Sequence, residues 1–173
     1  MKSLLVHLRP IEEADLAKVR RWRNHPEVSR YMYTQHEVSQ AEHLAWFQRS
    51  QEDPFRHLLV CEYGGESFGF VNIHLENPDA QRATWGFYLD PLSPRGRGQA
   101  MGHAALVYAF EELKLHKLCG EALAYNERSL KFHRSLGFTR ESHLRDHHFD
   151  GQYYHDVIGF GLLRSEWLAH RGA

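Results

Sequence analysis

The sequence is poor in cysteine. Only Cys61 and Cys119 occur among its 173 residues, each inside an apolar, strand-like run. Two such residues cannot build a disulfide framework, and they read as small core side chains. No apolar run is long enough to cross a membrane. The start, Met1-Lys2-Ser3-Leu4-Leu5-Val6-His7, lacks the apolar stretch of a signal peptide. There is no excess of charge of either sign, with 21 Lys and Arg against 22 Asp and Glu and a formal net charge of -1. General attraction to nucleic acid or to anionic lipid is therefore not expected. These absences point to a reducing, cytoplasmic setting with no nucleic-acid and no membrane partner.

Histidine is plentiful. Fourteen are present, yet they are scattered without ligand-like spacing, so no metal is expected. The 42% hydrophobic content suits a proper core. Without an internal repeat, linker or low-complexity tract, residues 1–173 read as a single domain.

In chain order, Leu4-Val6-Leu8 alternates as a first strand that Pro10 ends. A helix is expected from Glu12 to Trp22, broken at Arg23-Asn24-His25-Pro26. Arg30-Tyr31-Met32-Tyr33-Thr34 is an aromatic connection. Ser39-Gln40-Ala41-Glu42 is a capping box opening a second helix that reaches about Gln51. A three-strand meander follows: Leu58 to Glu62, a Gly64-Gly65 turn, Ser67 to Leu75, and Arg82 to Leu89. Within it, Phe68, Phe70 and Asn72 alternate against Val71 and Ile73. After a helix from Met101 to about Lys114 come a strand from Lys117 to Ala124 and a helix from Glu127 to Leu136. Asn126 can cap that helix and Gly137 can end it. Strand segments at Phe138 to Ser142 and His147 to Phe149, an Asp150-Gly151 turn, a strand from Tyr153 to Leu163 and a helix from Arg164 complete the chain. The order predicts an α+β fold, a mixed sheet with helices on both faces.

The loop Pro94-Arg95-Gly96-Arg97-Gly98-Gln99-Ala100-Met101-Gly102 lies between a strand and a helix. Glycines let a ligand approach the backbone, and the unpaired N–H groups and dipole of the helix start favour an anion. Arg95 and Arg97 add positive charge. Phosphate binding and an ordinary strand-to-helix turn are both open on the loop alone.

Arg95-Gly96-Arg97-Gly98-Gln99-Ala100 resembles the acyl-CoA signature of GNAT-type N-acetyltransferases, (Q/R)-x-x-G-x-(G/A). Asn126-Glu127-Arg128-Ser129-Leu130-Lys131-Phe132-His133, running on to Gly137-Phe138, resembles the second motif of that superfamily. Tyr154-His155-Asp156-Val157 with Leu162 to Trp167 resembles its closing strand. In the N-terminal third, Arg23-Asn24-His25-Pro26, Tyr31-Met32-Tyr33 and His43-Leu44-Ala45-Trp46-Phe47 resemble the acetyltransferases that modify a nucleotide-linked amino sugar in pseudaminic acid biosynthesis, a pathway that supplies flagellin glycosylation.

The resemblance implies a GNAT-like fold and direct transfer of acetyl from acetyl-CoA to an amine, with no metal. It implies a nucleotide-sugar acceptor, a UDP-linked 4-amino-4,6-dideoxy-N-acetylhexosamine acetylated on its 4-amino group. It places the CoA pyrophosphate on the amides from Arg95 through Gly96, Arg97, Gly98, Gln99 and Ala100 to Met101. It places the pantetheine arm along Tyr88-Leu89 and at Asn126, where a helix-cap role is equally open. His133 stands where the family usually has a tyrosine as acid to the leaving thiolate. A histidine can donate a proton, and an ordinary helix-surface residue is the other reading. The amine's proton goes to Glu121, His43 or His74, directly or through water. The implied sugar-nucleotide pocket comprises Arg23, Met32, Tyr33, His43, Trp46 and His74, with a core role also open to Met32 and Trp46. Thr84 and His74 depart from the relatives and leave the sugar open. So does the choice among a sugar nucleotide, a ribosomal protein N-terminus, a small amine and a non-catalytic acyl-CoA-binding module. The oligomeric state, a homodimer included, is likewise open.

Overall fold

The structure is a computed structural model that describes residues 5–172. Strand β1 covers His7–Pro10. The expected first strand thus starts later and includes Pro10, and its Leu4 lies outside the described residues. A 3₁₀ turn at Glu13–Asp15 leads into α1, Leu16–Asn24. At His25 the backbone turns extended, with ψ 135°, as the residue before a proline prefers. Pro26 then opens a short helix, α2, Pro26–Ser29, because proline suits the first position of a helix. The capping box at Ser39 and Glu42 is formed in both directions and starts α3, Gln40–Gln51.

Strands β2 (Arg56–Tyr63), β3 (Glu66–Asn77) and β4 (Arg82–Leu89) form the antiparallel meander. Gly64 and Gly65 have φ of +59° and +83°, the pair of positive values that a tight hairpin turn requires. Next come α4, Arg97–Val107, and one π-helical turn at Tyr108–Glu112. Helix α4 starts four residues earlier than its apolar spacing suggested. Its cap is Gly96 in a left-handed conformation, not a side-chain cap that the sequence would advertise. Strand β5 (Lys117–Leu123), α5 (Glu127–Ser135), β6 (Thr139–Phe149), β7 (Tyr154–Leu163) and α6 (Arg164–Arg171) complete the chain. The two expected segments of β6 are one strand, irregular between Leu144 and His148.

The seven strands lie in the order β1-β2-β3-β4-β5-β7-β6. Among the described residues only β4 and β5 run parallel. Both faces of the sheet are covered, as expected. Leu58, Val60 and Phe70 face α1 through Leu16, Val19 and Trp22. Leu59, Cys61, Val71 and Ile73 face Met101, Ala105, Leu106 and Phe110 of α4 and its π turn. Burial on both faces explains why Leu58 to Cys61 is a continuous apolar run. Phe68 departs from the expected alternation and packs with Val71 and Ile73. Cys61 pairs with Gly69 and Glu62 with Ser67, so Phe68 is the extra residue of a β-bulge, and the bulge turns it to the other face. Among the described residues no helix is long and apolar enough to cross a membrane.

Candidate active site

Strands β4 and β5 pair only at Arg82–Lys117, Ala83–Leu118 and Thr84–Cys119, and then part. From Trp85 to Leu89 the edge of β4 that faces β5 has no strand beside it among the described residues. A cleft of about 1010 Å³ opens there. Its walls include Trp85 to Tyr88 of β4, Cys119 to Leu123 of β5, and the Asn126 cap with Ser129 and Phe132 of α5. Arg23, Met32 and Tyr33 close it from the N-terminal side.

The glycine-rich loop lies at the outer end of β4. In α4 the N–H of Ala100 is bonded to Gly96 O at 3.1 Å, so the N–H groups of Gly98 and Gln99 precede the first helical bond and point out of the helix end. Leu89 packs under this start, and a Cβ at Gly98 would sit 3.3 Å from its Cδ1. Met101 is fully buried in the core. Arg95 is exposed. Arg97 instead turns back, with its guanidinium 3.7 Å from the Tyr63 ring centroid. The Gln99 side chain donates to Ser135 Oγ at 2.7 Å, tying α4 to α5.

The N-terminal motif builds the cleft wall. Arg23 Nη2 donates to Thr34 O. Asn24 pairs with the backbone of Val38 in both directions, donating to its O at 2.9 Å and accepting from its N at 2.8 Å. His25 caps α2 by accepting from Glu27 N. Arg23 and Asn24 thus pin the segment that carries Met32 and Tyr33. Arg23 is 9% exposed and its Nη1 has no partner among the described residues. Burial lowers its pKa, an effect that nearby Tyr88 opposes.

Tyr33 reaches across the cleft and donates to Glu121 Oε1 at 2.6 Å. Burial first, then the Glu121 carboxylate, pushes the Tyr33 pKa above the usual phenol range, so the hydroxyl stays protonated. Asn126 accepts from Ser129 N at 3.2 Å, so its cap role is formed at a position that also lines the cleft.

Four expected site residues lie elsewhere. His133 is 1% exposed and stands behind the cleft wall. Its Nδ1 donates to Ser129 O at 2.9 Å, and its Nε2 accepts from Trp85 Nε1 at 3.2 Å. A carbonyl can only accept, so the proton sits on Nδ1 and the ring is neutral. Burial lowers its pKa to about 4, against a smaller opposing effect of the Ser129 backbone. Both ring nitrogens are thus committed to partners within the fold. His43 is buried against Trp46, with ring centroids 4.9 Å apart, in a separate pocket between α1 and α3. Burial, then Arg20 and Arg23, lower its pKa to about 4. Trp46 packs edge-on against Phe70. His74 Nε2 lies 3.2 Å from Asp53 Oδ2, outside the cleft. The resemblance named these residues as candidates, and sequence spacing could not tell which side of the sheet or helix pair they occupy.

Several residues of the wall, Trp85 and Gly120 among them, escaped the sequence reading. Trp85 and Gly120 are the first residues beyond the last pair of β4 and β5. A glycine inside an apolar strand is itself a signal of close approach, and Gly120 carried it.

Residues 6–139 match the acetyltransferase (GNAT) domain family. The chain belongs to the GNAT acetyltransferases. Like them it is an acetyl-CoA-dependent N-acetyltransferase. It is 29% identical over 166 residues to the spermidine N(1)-acetyltransferase of Escherichia coli K12, covering 95% of this chain and 89% of that one. It is 24% identical over 129 residues to the acetyltransferase PseH of Campylobacter jejuni, covering 75% and 80%. The Vibrio cholerae spermidine N-acetyltransferase in complex with CoA and spermine superposes with a TM-score of 0.87 at 24% identity, over 94% of this chain and 98% of that one. At that identity the likeness concerns the fold.

Proposed function

We propose that this GNAT enzyme acetylates the 4-amino group of a nucleotide-linked sugar, a UDP-linked 4-amino-4,6-dideoxy-N-acetylhexosamine. Arg23 carries this reading. It is the charged side chain on the cleft that is both buried and left with an unpartnered donor, Nη1. A buried guanidinium repels a polycation and favours the oxygens of a sugar or a diphosphate. Met32 and Tyr88 beside it supply apolar surface for a deoxy-sugar edge. The similarity to PseH supports the same class.

In the proposed reaction the amine nitrogen attacks the thioester carbonyl. The C–N bond forms and the C–S bond breaks. The amine's proton passes to Glu121, held toward the cleft by Tyr33, and the thiolate takes a proton from solvent. The open edge of β4 holds the pantetheine arm like an added strand, and an amide there donates to the developing oxyanion. The amides of Gly98 and Gln99, with Arg95 beside them, hold the pyrophosphate.

A polyamine acceptor is the second reading. Glu27, Glu76, Glu121 and Glu141 line the cleft, and the similarity to spermidine acetyltransferases extends over nearly the whole chain. Each of these acids already has a partner: Arg30 at 3.9 Å, Thr84 Oγ1 at 3.3 Å, Tyr33 at 2.6 Å and Lys117 at 2.8 Å, respectively. CoA release is the readout that separates the readings, with UDP-linked 4-amino sugars, spermidine, spermine and N-terminal peptides as acceptors. Turnover of the sugar nucleotide with little of the amines is expected. Turnover of polyamines alone overturns the proposal.

A further inference from the structure

We infer that His133 is a positioning residue: with Trp85 it forms a buried wedge that sets the angle at which β4 and β5 part. Thr84 and Cys119 are the last pair, and Trp85 and Gly120 come next. The Trp85–His133 hydrogen bond lies in the space under Gly120. A Cβ there would fall 2.6 Å from both Trp85 Nε1 and His133 Nε2. Neither ring has room to yield. His133 stacks on Phe160 with centroids 4.7 Å apart and planes 4° apart, and Trp85 stacks on Phe138 at 5.6 Å and 6°. Phe160 in turn pairs with Gly120 in the sheet. One neutral imidazole therefore joins α5, β4, β5 and β7 at the apex of the cleft.

The consequence reaches the chemistry. The open edge of β4 faces the acyl donor, and Glu121 on β5 follows directly after Gly120. The distance between them is decided at the apex. His133 acts on the reaction by holding that distance, with no proton transfer of its own. The inference rests on acetyl transfer and is independent of which amine is the acceptor.

The test compares His133→Gln, His133→Phe and Trp85→Phe, following CoA release with whichever of the UDP-amino sugar or spermidine turns over. Glutamine presents an acceptor near the place of Nε2, so His133→Gln should keep kcat within about threefold, with an unchanged pH profile, since the hydrogen bond survives. His133→Phe and Trp85→Phe should each lower kcat about 10- to 100-fold, the scale of a small misplacement of reacting groups. The double Phe variant should be no worse than either single one, because both remove the same bond. The wild-type protein supplies a readout that needs no variant: by histidine-ring NMR, His133 should stay in the neutral Nδ1-protonated form in the folded state down to about pH 5. Loss of activity or of a pH limb in His133→Gln makes His133 a proton donor and overturns the wedge. So does a His133 ring that titrates in the folded state like a free histidine, or wild-type kcat in His133→Phe.

Discussion

Acidification isolates the contribution of His133 to stability. In the folded chain its pKa is lowered to about 4, chiefly by burial. In the unfolded chain a histidine has a pKa of about 6.5. The folded value is the lower one, so the stabilisation is whole above about pH 6.5 and is lost as pH falls toward 4. The full difference, about 2.5 units at about 1.4 kcal/mol each, is about 3 kcal/mol, of which about 2 kcal/mol disappears between pH 7 and pH 5. Other groups titrate over the same range, His43 among them. They are common to the wild type and His133→Gln, so the informative quantity is the difference between the two proteins. Urea unfolding at pH 7, 6 and 5 should show the wild type losing about 2 kcal/mol more than the variant. Parallel stability curves would refute a buried neutral His133.

Glu121→Gln should lower kcat by about 10² to 10⁴ with little change in the KM for acetyl-CoA, since a positioned base contributes on that scale; unchanged turnover removes Glu121 as the proton acceptor. Asn24→Ala breaks both bonds to Val38 and should cost about 1–3 kcal/mol in urea unfolding. Because that pair pins the segment bearing Tyr33, the KM for the acceptor should rise more than that for acetyl-CoA. Gly102→Ala would place a Cβ 2.8 Å from Leu136 Cδ1 and from Phe132 Cζ, where α4 crosses α5. It should lower stability by about 1–3 kcal/mol, read as a lower thermal midpoint.

Much of the architecture is local and was therefore legible in the sequence. The capping box at Ser39 and Glu42, the Gly64-Gly65 turn, the Asn126 cap and the left-handed Gly137, φ +95°, each depend on neighbours within a few residues. The glycine-rich loop was legible for the same reason, although its helix begins at Arg97 and not at Met101, because the left-handed Gly96 cap leaves no side-chain signal. Sequence order could not decide which candidates share a space. Tyr33 and Glu121 are 88 residues apart and meet because the β4–β5 opening lies beneath the segment that Asn24 pins. His43, Trp46 and His74 have the right chemistry for a pocket but point into other packing. His133 sits at the motif position of a catalytic acid. Only the tertiary structure shows that Gly120 lets Trp85 reach it, and that the bond they make holds His133 behind the cleft wall.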